Sequence, residues 1–377
     1  MPIEPIITVP QANPAAGYRD QKAEIDAAVE RVFASGSFVL GREGEAFESE
    51  FAQWLGTPHA VGCASGTDAL ALLLRGLDIG EGTSVVTVSH TSVATIAAIE
   101  LSGSVPILVD IDCDYYTMDA TDLAAVLDNP LRGVPPVRAV IVVHLYGQAA
   151  EMGPLVQLCQ RHDVVLIEDC SQAHGASYQG RKVGTLAHAA AFSLYPTKNL
   201  GGFGDGGIVA VQSAKLSERV TALRQYGWRR RYISDETGMN SRLDEIQAAI
   251  LRVRLRGLDA GNARRRQIAA AYDDALASSS ARPPVRRFEA EHVFHQYVIR
   301  PPHREDAQAH LHGLGIGTAV HYPMPVHRQP AYFDRLALGP SRCRNTENIS
   351  GQILSLPMFP ELTDAQVEYV CDGLRGI

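Results

Sequence analysis

From Ala60 onward the chain alternates short apolar runs with stretches of helical spacing, and this alternation leaves few folds open. The runs Ser84–Val88, Val105–Val109, Val137–Val143 and 164–167 have strand length and are rich in β-branched residues. Between them, Val93–Leu101 and Met152–Arg161 space their apolar residues as helices do. Strand, helix and strand in succession make βαβ units, so the expected fold is α/β: a mostly parallel sheet with helices on both faces. Residues 189–194 and Gly207–Val211 add two strands, separated by a glycine-rich stretch at 201–207. Upstream, 18–36 places Ile25, Ala28, Val29, Val32 and Phe33 on one helical face and stops at Gly36. Downstream, a long helical region runs from about Arg242 to Leu276, with Arg252, Arg254, Arg256, Arg264, Arg265 and Arg266 expected on its outer face. Residues 278–284 look like a surface connection, and 294–300 with 317–322 suggest a smaller sheet. The expected division is a large domain over 1–260 and a smaller C-terminal α/β domain over 261–377.

The 377 residues, 46% hydrophobic and 20% charged, suffice for one large core and a second, smaller one. A formal charge of −8 and a pI near 5.9 argue against nucleic-acid or anionic-membrane binding, so an anionic ligand needs a local basic cluster. No run reaches the roughly 18 apolar residues of a membrane span, and Met1 to Asn13 lack the basic and apolar regions of an export signal. A cytoplasmic protein is expected. The six cysteines, Cys63, Cys113, Cys159, Cys170, Cys343 and Cys371, are scattered and read as reduced thiols, mostly buried. His295, His303, His310, His312, His321 and His327 crowd the C-terminal part without a metal-ligand spacing; no metal is expected, and most are read as surface or domain-contact residues.

Ligands of parallel sheets sit beyond the carboxyl ends of the strands, so polar residues just after apolar runs come first. At Cys63–Leu70 a strand turns through Ser65, Gly66 and Thr67 into an apolar helix whose free N–H groups suit a phosphate; a simple helix cap reads the same residues. The run 164–167 delivers Glu168 and Asp169, followed by Gln172 and His174. A carboxylate there can keep a pyridine nitrogen protonated, or merely cap a turn. After the apolar run at 189–194, Lys198 follows Ser193 and Tyr195 and precedes the glycines. An amine so placed loses water and basicity and becomes a carbonyl-reactive nucleophile, whereas most lysines simply face solvent. A phosphate turn, a strand-end acid and Ser-x-x-x-x-Lys, in that order, are what a pyridoxal 5′-phosphate site requires. Trp228, Arg229, Arg230 and Tyr232 form a basic, aromatic cluster able to receive a diphosphate, or a solvated loop.

With these residues and Gly238–Glu245 in view, the chain resembles the DegT/DnrJ/EryC1/StrS family of sugar aminotransferases over nearly its whole length. Ser35–Gly41, Ser65–Leu70, Glu168–Ala176, the lysine segment and His321-Tyr322-Pro323 carry the likeness. The resemblance implies the type I aminotransferase fold, with a mixed seven-stranded sheet, a smaller C-terminal domain, and a homodimer with active sites at the subunit interface. It implies that Lys198 forms the internal aldimine and shuttles a proton, that Asp169 pairs with the pyridinium, and that Gln172 sits by the phenolic oxygen. Ser65, Gly66, Thr67 and Ser193 would hold the phosphate, and Asn240 would reach the neighbouring subunit's phosphate. Many members stack an aromatic residue on the cofactor where this chain has Ser92, which leaves His90 as the stacking candidate. Lys198 argues against the family's dehydratases, which carry histidine there. The segments 226–234 and 240–245 are most similar to members acting at C3 of dTDP-linked 3-keto-6-deoxyhexoses, with L-glutamate as donor and pyridoxamine phosphate between the half-reactions. Tyr195, Trp228, Arg229, Arg230, Tyr232, His321 and Tyr322 would face the nucleotide-linked keto-sugar. A keto-cyclitol aminotransferase and a non-catalytic pyridoxal-phosphate-binding regulator are the alternatives.

Overall fold

The computed structural model describes residues 8–377; the expectation of no export signal concerns a stretch whose residues 1–7 lie outside the described ones. In chain order the large sheet begins with β1 (His59–Cys63), β2 (Ser84–Val88), β3 (Val105–Val109), β4 (Val137–Val143) and β5 (Val165–Asp169). A short hairpin, β6 (Ser177–Tyr178) and β7 (Arg181–Lys182), precedes β8 (Ala189–Ser193) and β9 (Gly207–Val211). Then come a second hairpin, β10 (Trp228–Arg230) and β11 (Ile233–Ser234), and the strands β12 (Ala290–Glu291), β13 (Tyr297–Ile299), β14 (Ala337–Leu338) and β15 (Leu354–Leu356).

The central sheet runs β1-β9-β8-β5-β4-β2-β3-β14, with β9 antiparallel to both neighbours and every other pairing parallel. It therefore has eight strands, not seven: two residues from the C-terminal part, Ala337 and Leu338, extend its edge beside Ile107 and Leu108. So short a strand carries no periodic signal in the sequence. Alternation along the strands gives each face its own core. Val86, Val88, Val140 and Val142 pack on one side with Phe47, Phe51 and Phe192. Val85, Ile141, Ile167 and Val209 pack on the other with the helix Gly66–Gly76.

The smaller core gathers Tyr272, Tyr297, Leu354, Leu356 and Val370, joined by Val9 from the start of the chain. There β13 pairs with β15, whereas 317–322 contributes only an isolated Ala319–Ser355 bridge. The helix Glu245–Leu276 belongs to both cores, through Leu251, Leu255 and Leu258 at one end and Ile268, Ala269 and Tyr272 at the other. Its arginines are not all on an outer face: Arg265 is buried, in the stripe of Leu258, Asn262 and Tyr272, and Arg254 is half-buried. The N-terminal helical stretch breaks at Gln21, and Phe33 points outward to Phe38 instead of inward. Five cysteines are buried, and none is bonded to another among the described residues. His295 and His327 are buried contact residues, held by Asn199 and Ser89, and not surface ones. No helix among the described residues is long and apolar enough to cross a membrane.

Candidate active site

The carboxyl ends of β4, β5 and β8, with the turns after β1 and β2, surround a cavity of about 260 Å³. Strand order reverses beside it, since β3 lies beyond β2 while β5 lies on the far side of β4, and such a reversal opens a crevice at the strand ends. Ser65, Gly66, Thr67, Asp169, Gln172, Ser193, Tyr195 and Lys198 all line this one cavity.

Strand β5 divides its two acids between opposite faces. Glu168 turns into the core, where its carboxylate accepts N–H groups from Gly184, Leu186 and Ala187 at 2.8–2.9 Å. His144 accepts the Ala150 N–H at Nδ1, so its Nε2–H donates to Glu168 at 3.0 Å. Asp169 faces the cavity instead. Its Oδ2 accepts from Thr95 Oγ1 at 2.9 Å and its Oδ1 from the Ser171 N–H at 3.1 Å. Two acceptor contacts leave lone pairs available to a cationic partner.

At the β1 turn, Ser65 caps the helix Gly66–Gly76 by accepting the Asp68 N–H at 3.0 Å. Cap and ligand seat are not exclusive, since the Gly66 and Thr67 N–H groups remain at the positive end of the helix dipole. A Cβ on Gly66 would meet Ser193 Cβ at 2.7 Å, so the approach of these two segments requires glycine. Gln172 accepts the Tyr146 N–H at 2.8 Å and donates to the Tyr322 hydroxyl at 3.1 Å, which fixes its amide orientation.

Lys198 is half-buried, and loss of water lowers its ammonium to about 8, with Asp169 opposing the shift. Its charge is also felt by His174, His295 and His321, three imidazoles from distant parts of the chain that burial holds well below their ordinary range. Sequence reasoning named His174 beside Asp169 and His321 in the site, but missed His295 beside the lysine and Thr95 under Asp169.

Other expected site residues stand elsewhere. His90 does not line the cavity: it is buried against Tyr116 and Tyr146, and its Nε2 lies 2.9 Å from the Tyr146 hydroxyl. That hydroxyl donates to the His321 carbonyl, so His90 is the donor in the pair. Thr91, Ser92 and Ala94 line the cavity in its place. Trp228, Arg229, Arg230 and Tyr232 form the β10–β11 hairpin and do not line this cavity. Asn240 is exposed and bridged to Gln225, although its neighbour Ser241 is tied to the β1 turn through the Ala64 N–H and Asp68.

A sheet crevice with a helix-end anion seat, a strand-end acid and a desolvated lysine defines a site built for covalent carbonyl–amine chemistry. Residues 19–375 match the DegT/DnrJ/EryC1/StrS aminotransferase family, and the chain belongs to it. It is 44% identical over 368 residues, 97% of this chain and 95% of the relative, to a dTDP-3-amino-3,4,6-trideoxy-alpha-D-glucose transaminase of Streptomyces venezuelae. It is 38% identical to a UDP-N-acetyl-3-dehydro-alpha-D-glucosamine 3-aminotransferase of Acidithiobacillus ferrooxidans, across 97% of both chains. Among solved structures it matches DesV of S. venezuelae in complex with a ketimine intermediate, with a TM-score of 0.93, 43% identity and 98% of both chains covered. Proteins of this family are pyridoxal-phosphate-dependent, and the donor set described above fits that cofactor.

Proposed function

We propose that the protein moves an amino group from L-glutamate to the C3 keto group of a dTDP-linked keto-deoxysugar, using pyridoxal 5′-phosphate. The observation that carries the reading is the convergence of Lys198, Asp169 and the Ser65–Thr67 turn on one cavity. When bound, the cofactor supplies an electron sink that makes a carbon next to nitrogen acidic. The chain's residues do the rest. The Gly66 and Thr67 N–H groups and the Ser193 hydroxyl hold the phosphate, and Asp169, held by Thr95 and Ser171, keeps the pyridine nitrogen protonated. Gln172, fixed by Tyr146 and Tyr322, donates toward the phenolic oxygen. Lys198 Nζ, with its lowered basicity, carries the covalent attachment and then takes and returns the proton that moves during transfer.

Position 3 is supported by relatives named for that position on two different nucleotides, so the dTDP preference is the finer part of the proposal. Tyr195, His321 and Tyr322 lie on or beside this protomer's cavity. Trp228, Arg229, Arg230, Tyr232 and Asn240 act from the second subunit of a homodimer, which explains why exposed basic and aromatic residues sit away from the cavity of their own chain. The division near residue 260, into a cofactor-binding part and a smaller C-terminal part, belongs to the same reading. The test is mass spectrometry of products from synthetic dTDP-3-keto- and dTDP-4-keto-sugars with glutamate. A 3-amino product is expected; faster turnover of a nucleotide-free keto-cyclitol overturns the substrate assignment, and no product from any keto-sugar favours a regulator.

A further inference from the structure

Lys198 and Asn199 line a second, narrow cavity of about 40 Å³ together with His295, Gln296, Arg254 and Arg265. Asn199, both arginines and Glu361 are shared with an adjoining open cavity of about 720 Å³ between the N-terminal helix and the helix Glu245–Leu276. The cofactor-side cavity has no arginine in its wall; its cation is Lys198. Arg254 and Arg265 are therefore the guanidinium groups on the two cavities that the lysine touches.

Neither arginine is joined to a carboxylate by an ion pair among the described residues, although Glu361 lies near and its charge acts on both. Arg265 is 5% exposed, and its Nη1 donates only to the carbonyls of Phe294 at 3.1 Å and Met358 at 2.7 Å. Arg254 Nη1 is buried without a hydrogen-bond partner. Burial pushes both guanidiniums below their ordinary range, and Arg254 lowers Arg265 further. A buried donor without an acceptor is costly, and an anion seated there relieves it with charge-assisted hydrogen bonds. Asn199, on the wall of the cavity that the arginines share with Lys198, is held from three sides, by Asn262, the Val293 carbonyl and His295. None of the residues assigned to the keto-sugar lines it.

We propose that Arg254 and Arg265 bind the side-chain carboxylate of a dicarboxylate amino donor, of which glutamate is the type, while its amine reaches toward Lys198. This rests on the amino-transfer reading above. The carboxylate farther from the amine is the one assigned, because the narrow cavity separates the arginines from the lysine. Glu361 then limits affinity by repelling the incoming charge.

The holoenzyme is titrated with L-glutamate while its visible absorbance is followed, and separately assayed against the keto-sugar. Arg254→Gln is expected to raise the half-saturating glutamate concentration about tenfold or more, leaving the response to L-alanine and the half-saturation for keto-sugar unchanged. Arg254→Lys should recover part of the loss, and Glu361→Gln should lower the glutamate requirement. In cofactor-free protein, 2-oxoglutarate should raise the melting temperature of the wild type and not of Arg254→Gln. A wild type that does not respond to glutamate refutes the donor and this seat together. A responsive wild type matched by Arg254→Gln, or a variant weakened equally for keto-sugar, refutes the seat alone.

Discussion

The chain has only four lysines, Lys22, Lys182, Lys198 and Lys215, so the ionisation of each can be followed peptide by peptide after amine labelling. Burial lowers the Lys198 ammonium from 10.5 to about 8, whereas a hydrogen bond to the Asp26 carboxylate raises Lys22. At pH 8 about half of Lys198 is then free amine, against about 0.3% for an amine at the ordinary value. In cofactor-free protein, labelling of Lys198 by a small amine reagent should rise through pH 7 and 8 and level off by about pH 9, while labelling of Lys22 continues to climb. Asp169→Asn removes the attraction that favours the charged form, so the Lys198 midpoint should move lower. The same shift has a stability consequence. The folded state disfavours the ammonium, so folding is penalised in full below about pH 8, by about 3 kcal/mol, and the penalty fades as pH rises toward the unfolded value. Cofactor-free protein should therefore gain stability between about pH 8 and 10 relative to Lys198→Met. A Lys198 labelling midpoint at or above the ordinary lysine value, or parallel stability profiles of the two proteins, would refute the reasoning.

Gly207 lies under the phosphate turn, where an added Cβ would stand 2.1 Å from the Ser65 carbonyl oxygen. Gly207→Ala should lower stability by about 1–3 kcal/mol and weaken cofactor binding about tenfold, read by thermal unfolding and cofactor titration; unchanged values would show that the turn does not seat the phosphate. Glu168→Gln sets an amide nitrogen against donors that now find a carboxylate, and should cost about 2–4 kcal/mol in denaturant unfolding. Thr95→Val removes one of the two donors to Asp169, so the cofactor's visible spectrum should shift with little change in melting temperature.

Much of this was legible from the strands because their signals are local. Runs such as Val137–Val143 must be buried on both faces, and the residue after each run is placed at the crevice by the pleat alone. Strand β5 was expected to end at Ile167 and in fact runs through both acids, because Glu168 is satisfied in the core by backbone groups from 184–187 that no local pattern announces. Arg265 falls in the buried stripe of Leu258, Asn262, Ile268 and Tyr272 at helical spacing, and was read as outward only because a charged side chain is seldom buried. The neutral histidines around Lys198 come from residues 174, 295 and 321, and only the tertiary fold brings them together.

The helix Glu245–Leu276 is one unbroken rod of 32 residues anchored in both cores. Such a rod transmits displacement along its length instead of absorbing it, so a shift of the smaller core carries Asn262 and Arg265 with it, and these meet Asn199 and Phe294 beside the lysine. The reactive amine's surroundings are thus tied, through one continuous helix, to the packing of residues more than a hundred positions away in sequence.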